Sequence, residues 1–175
     1  DAIACCEVQP EEAAALRRCF AGDRRIGVHQ RDGYAAVGAL LPPRHGGRRI
    51  GRGLVLVDPP YEAQRGEFAP VLAALREGLA RWPQGMFMLW YPVKQRAALG
   101  PFLRRAAQLP AKSVLLAELM VRAEESVLRM NGSGVLVCNP PWRLDATLQA
   151  LLPALQAALA PGRGAHRLQW LREET

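Results

Sequence analysis

Short apolar runs alternate with longer amphipathic segments along almost the whole chain, and this rhythm narrows the fold more than any other feature. IACCEV (3–8), RIGVHQ (25–30), GLVLV (53–57), MFMLWYP (86–92), SVLLAELMV (113–121), GVLVCNPPW (134–142) and AHRLQWL (165–171) read as strands. The intervening segments 10–20, 33–41, 67–82, 93–108 and 144–159 carry helical spacing. Pro10 with Glu11 and Glu12 forms a helix-starting signal, Pro70 interrupts the third helix near its start, and Gly100-Pro101 weakens the fourth. Segment 122–133 is polar and reads as a loop with helical spacing at its middle. Strand-helix alternation predicts an α/β, doubly wound sheet, mostly parallel, with antiparallel pairing near the C-terminus. A chain of 175 residues that is 50% hydrophobic suits a single domain over 1–175.

The run Leu54 to Val57 lacks polar alternation, which predicts a strand buried on both faces. Asp58 stands where that strand leaves the sheet, and Pro59 and Pro60 forbid continuation of helix or ladder. Ligands of open parallel sheets bind at the carboxyl ends of the strands. Asp58 therefore either faces a ligand or satisfies the amides of its own turn. The same plan returns at Asn139-Pro140-Pro141-Trp142, where a structural turn is the expectation.

Glu7, Asp32 and Asp58 follow three apolar strands at a spacing of one strand-helix unit, which predicts that they meet along one sheet edge. A carboxylate at a strand end suits ribose hydroxyls, and Asp32-Gly33 offers a carboxylate and a backbone amide to an adenine edge. Glu7 as a cap of the next helix and Asp32-Gly33 as an ordinary turn are the competing readings.

The net charge of +7 favours a polyanionic partner. PPRHGGRRIGRG (42–53) gathers Arg44, Arg48, Arg49 and Arg52 with His45 in one acid-free loop, which predicts phosphate contacts. Cys5, Cys6, Cys19 and Cys138 have no metal or disulfide spacing and are expected to be small buried hydrophobes in a reducing cytoplasm. His29, His45 and His166 are scattered, so no metal site is expected. No apolar run reaches membrane-spanning length, and the expected location is cytoplasmic.

CCEVQPEEAAALRRCF, RDGYAAV, RRIGRGLVLVDPPYE, LWYPV, NGSGVLVCNPPW and AHRLQWL, in that order, resemble the RlmJ-type 23S ribosomal RNA adenine-N6 methyltransferases. The resemblance covers essentially all 175 residues. It implies a Rossmann-like fold and S-adenosylmethionine as methyl donor, without a metal. It also implies 23S ribosomal RNA as substrate, with no membrane and no obligate protein partner. By resemblance Glu7 holds the donor's ribose, Asp32 and Gly33 its adenine, and Asp58 is catalytic, with Pro59, Pro60 and Tyr61 completing the turn. A departure accompanies this: the family's first strand, with its Gly-rich turn, has no counterpart before Glu7. The expectation is an N-terminally incomplete catalytic domain whose missing strand is supplied by a companion segment. A DNA adenine or protein glutamine methyltransferase shares the amine-holding turn, and a non-catalytic RNA-binding fragment is the reading from another class.

Overall fold

The computed structural model describes residues 2–61, 64–122, 129–160 and 162–173. The chain runs β1 (Ile3–Glu7), α1 (Pro10–Cys19), β2 (Ile26–Gln30), α2 (Gly33–Leu40), β3 (Arg44–His45), β4 (Arg48–Arg49) and β5 (Leu54–Val57). It continues through α3 (Gln64–Arg81), β6 (Met86–Val93), a 3-10 turn (Arg96–Leu99), α4 (Gly100–Ala106), β7 (Val114–Met120), β8 (Gly132–Cys138), α5 (Leu144–Leu159) and β9 (Ala165–Arg172).

A five-stranded sheet in the order β5-β6-β8-β7-β9 forms the body of the molecule. Its β5–β6 pair is parallel, while β6–β8, β8–β7 and β7–β9 are antiparallel. The parallel pair β1–β2 makes a sheet of its own, and α2 packs against α3 to join it to the body. Parallel pairing joins β1 to β2 and β5 to β6, whereas the β3–β4 pair and the strands β6, β8, β7 and β9 are antiparallel, so the long antiparallel ladders gather toward the C-terminal half. On one face of the large sheet Phe87, Leu89, Tyr91, Val93, Val114, Leu116 and Leu136 pack against α3 and α4. This packing explains why α3 is continuous through Pro70: Val71, Leu72, Leu75 and Leu79 are buried, which outweighs one lost backbone bond.

Four expectations are corrected. The strand at 54–57 is not buried on both faces: Val55 and Val57 pack on the core, whereas Leu54 and Leu56 are 49% and 59% exposed. α3 covers one side only, and among the described residues β5 has β6 as its sole partner. Gly100-Pro101 does not weaken a long helix but opens α4, with proline in the first turn where a missing N–H costs nothing. The basic segment is not an irregular loop, because Gly46 and Gly47 adopt φ of +56° and +78° and turn β3 back onto β4 as a hairpin. The middle of segment 122–133 lies outside the described residues. Among the cysteines, all free, only Cys138 is buried. Cys5 and Cys6 are half-buried and Cys19 is exposed, because β1 and the end of α1 lie outside the main core.

Candidate functional site

Asp58 follows β5 directly and is exposed. Among the described residues its carboxylate takes no hydrogen bond or ion pair, so the turn does not consume it. Pro59 beneath it is buried, and Tyr61 is anchored from two directions. The Tyr61 hydroxyl donates to the Trp90 carbonyl at 2.8 Å, and its ring lies 5.9 Å from both Phe68 and Trp90. A buried proline and a tied tyrosine thus hold an outward carboxylate on a fixed turn. This is the geometry of a preorganised acceptor.

Glu7 and Asp32 come together at the carboxyl end of the small sheet, where register sets Glu7 opposite Gln30. The Arg31 amide donates to the Glu7 carbonyl at 3.0 Å, fixing the chain between them. Glu7 Oε1 accepts from the Gln9 amide at 2.6 Å, steering the chain into α1. Asp32 caps α2, its Oδ1 accepting from Tyr34 and Ala35 amides at 2.6 and 3.1 Å. Asp32 thus caps α2, whereas Glu7 bonds the Gln9 amide that precedes α1, and each of these contacts uses one carboxylate oxygen. Gly33 is exposed, and a Cβ built there would meet nothing within 4 Å, so space lies open beside Asp32. A half-buried acid thus closes one strand, and an exposed acid-glycine pair follows the next. Asp58 belongs to the other sheet. The strands β3 and β4 intervene, so the three acids do not close three successive strands as their spacing predicts.

In the basic hairpin, register sets Arg44 opposite Arg49 and His45 opposite Arg48. Directly opposed like charges destabilise a hairpin unless an anion lies between them. Arg44, Arg48, Arg49 and Arg52 are all exposed.

The second Pro-Pro turn is structural. Asn139 has φ 53°, its Nδ2 donates to Pro83 and Gly85 carbonyls at 3.0 and 2.9 Å, and its Oδ1 accepts from the Lys112 amide at 2.9 Å. The amide is spent on joining three segments. Among the described residues no group of three His, Cys, Asp or Glu side chains is placed to hold a metal ion, and no helix is long and apolar enough to cross a membrane.

One charged cluster escaped the sequence reading: Glu118, buried in β7 against Tyr91, Arg96 and Arg167. Its signal was a lone carboxylate inside the otherwise apolar run SVLLAELMV.

Comparison with known proteins sharpens the assignment. The family model described as "Ribosomal RNA large subunit methyltransferase D, RlmJ" matches residues 1–172. Ribosomal RNA large subunit methyltransferase J of Haemophilus influenzae is 34% identical over 169 residues, covering 96% of this chain and 58% of the relative. The protein of the same name from Escherichia coli is 33% identical over 175 residues, covering 99% and 60%. A crystal structure of a Legionella pneumophila protein superposes with a TM-score of 0.82 at 27% identity, over 97% of this chain and 60% of that one. The chain thus spans about 60% of the length of the relatives it matches. With the family model matched over nearly its whole length, the chain belongs to the RlmJ family of ribosomal RNA large subunit methyltransferases.

Proposed function

We propose that the protein containing this chain transfers a methyl group from S-adenosylmethionine to the exocyclic N6 amine of an adenine in 23S ribosomal RNA. The observation that carries the reading is the exposed Asp58, unengaged among the described residues, on a turn fixed by Pro59 and Tyr61, in a chain of this family. Bound donor supplies an electrophilic methyl on a sulfonium. The protein's own task is to present the amine. An adenine N6 lone pair is delocalised into the ring, so the amine needs positioning rather than covalent activation. Asp58 accepts one N–H and a carbonyl of the Pro59-Pro60 turn accepts the other, turning the lone pair toward the methyl. Tyr61 offers a flat face to a base lifted from its stack. Glu7 holds the donor's ribose, while Asp32 and Gly33 border its adenine. Arg44, Arg48, Arg49 and Arg52 grip RNA phosphates, which relieves the Arg44–Arg49 opposition.

A companion strand completing the methyl-donor site belongs to the same reading. Its support is that β1 pairs only with β2 and β5 only with β6 among the described residues, with Ile3 53%, Leu54 49% and Leu56 59% exposed. The cytoplasm is the compartment that this substrate implies.

Transfer of tritium from labelled donor to 23S ribosomal RNA, DNA and protein tests the function. The expected result is label in RNA, released by digestion as N6-methyladenosine. Label in DNA or protein would select the other amine methyltransferases, and RNA binding without any transfer would select the non-catalytic reading.

A further inference from the structure

The three Asn139 hydrogen bonds hold the second Pro-Pro turn to the body, yet the largest side chain of that turn faces solvent: Trp142 is 88% exposed. Tryptophan is highly buried on average, because its ring is a large apolar surface. This one does not sit on a loose loop tip. Asn139 and Arg143, on either side of Pro140-Pro141-Trp142, both adopt left-handed φ, 53° and 62°. Such angles cost a non-glycine residue energy and persist where the surroundings hold them. Asn139 is held by its side chain, and Arg143 by α5. The Arg143 carbonyl accepts from the Thr147 amide and hydroxyl, each at 3.1 Å, and the Leu144 amide donates to the Pro141 carbonyl at 3.1 Å. The backbone is thus fixed at both ends, and the indole stands outward between them.

The ring carries a positive charge on one side. The Arg143 guanidinium lies 5.2 Å from the Trp142 ring centroid, a cation–π contact, and the exposure of the indole leaves its opposite face open. Arg143 is itself exposed, and among the described residues its guanidinium has no ion pair. Asp145 stands in the first turn of α5, where a carboxylate complements the helix terminus. A flat aromatic face with a guanidinium beside it is the kind of surface on which unpaired nucleobases stack.

Neighbouring strands bring more positive charge to the same place. β5, β6 and β8 are adjacent, with Leu54 level with Met86 and Phe87 level with Cys138. The Met86 amide donates to the Gly53 carbonyl at 3.0 Å, and the Gly85 carbonyl accepts from Asn139 at 2.9 Å. The start of β5 and the second turn therefore share one end of the sheet, two strand spacings or about 10 Å apart. Arg52, which is exposed, directly precedes Gly53, and the hairpin carrying Arg44, Arg48 and Arg49 leads into it. Asp58 lies at the other end of β5, about 17 Å along the strand.

We propose that Trp142, with Arg143 across its ring, is a stacking platform for an unpaired base of RNA, whose adjoining phosphates meet Arg143 and Arg52. That this strand belongs to the methylated RNA rests on the function proposed above. Standing at the far end of the sheet from Asp58, the platform holds the strand and not the reacting amine, so it acts on RNA affinity rather than on the chemical step.

Binding of a short, fluorescently labelled single-stranded RNA to the full-length protein is followed by anisotropy over a range of salt concentrations. Trp142→Ala is expected to weaken binding about tenfold. Its salt slope should stay unchanged, because stacking releases no counterion. Trp142→Phe keeps a flat ring and should recover most of the affinity. Arg143→Gln and Arg52→Gln should each lower the slope by about 0.7. Leu159→Ala, which removes a side chain 60% exposed at the other end of α5, should change little. A duplex of the same sequence, whose bases are paired, should bind Trp142→Ala and wild type alike. In methyl transfer Trp142→Ala should raise KM for RNA and leave kcat near wild type. Unchanged affinity in Trp142→Ala, an equal loss in Leu159→Ala, or an equal loss with the duplex would overturn the proposal. Self-association that Trp142→Ala abolishes in sedimentation, with RNA affinity intact, would also overturn it and assign the ring to a second copy of the chain. Absence of methyl transfer would leave the binding titration standing, so the two readings fail separately.

Discussion

Asp58-Pro59-Pro60-Tyr61 and Asn139-Pro140-Pro141-Trp142 share one plan but assign opposite tasks to their polar and aromatic residues. At the first turn the polar residue is exposed and unengaged among the described residues, while the aromatic is tied to Trp90. At the second the polar residue makes three hydrogen bonds into the body, while Trp142 is 88% exposed. Strand direction separates them further: β5 runs parallel to β6 and β8 antiparallel, so the turns leave the sheet at opposite ends. A turn motif is therefore read by where its hydrogen-bonding capacity is spent. Spent inward, it is a rivet; left outward on a fixed backbone, it is a candidate site.

The largest effect expected of this contrast is on turnover. Asp58→Ala in the full-length protein should lower methyl transfer by about a hundredfold or more, the typical cost of a lost preorganised contact. Donor affinity by calorimetry and thermal stability should stay near wild type, because Asp58 supports nothing else among the described residues. Turnover close to wild type would move the chemistry away from this turn.

Asn139→Ala should do the reverse, leaving turnover per folded molecule intact while destabilising by about 2–3 kcal/mol in urea unfolding. The loss combines three hydrogen bonds with a left-handed φ of 53° that alanine adopts poorly. Asn139→Gly separates the two causes, since it relieves the backbone but not the bonds. A variant as stable as wild type would remove the structural role assigned here.

Much of this architecture was legible in the residues, and the misses have physical causes. Alternating apolar runs located the long strands, because core-facing residues must recur with the period of the element that carries them. The candidate acids Glu7, Asp32 and Asp58 were legible as charges at or just after strand ends. Leu54 and Leu56 were misread because an apolar run states what a strand would bury, not whether a layer covers it. The hairpin at Gly46-Gly47 was missed because its strands of two residues are too short to show a period. Glu118 went unread for a different reason: its partners Tyr91, Arg96 and Arg167 are distant in sequence and meet only through sheet register.

Cys138, directly before the second turn, sharpens the contrast through pH. Burial pushes its thiol from an ordinary 9.0 to about 12. A raised folded-state value means that the stabilisation is complete below 9.0 and is lost as pH rises toward about 12. Unfolding free energy should fall by about 1.4 kcal/mol per pH unit from this group in that window. Cys138→Ala should be less stable at neutral pH but show a shallower alkaline slope. Matching slopes in the two proteins would place the titration on another group.

The smallest expected effects belong to the two aromatics, and they distinguish anchoring from exposure most directly. Tyr61→Phe removes the hydroxyl that donates to the Trp90 carbonyl but keeps the ring packed near Phe68. That should cost about 1 kcal/mol of stability, because a half-buried acceptor loses its partner. Turnover should fall by a small factor as the turn beneath Asp58 loosens. Trp142→Ala deletes a larger ring that is 88% exposed and contacts Arg143 by a cation–π approach of 5.2 Å. An exposed contact of that kind contributes about 0.5–1 kcal/mol at most, so stability should change less than in the tyrosine variant despite the greater loss of atoms. Thermal unfolding of both variants in one buffer decides between them. A larger loss for Trp142→Ala would mean that the second turn is held by its aromatic rather than by Asn139.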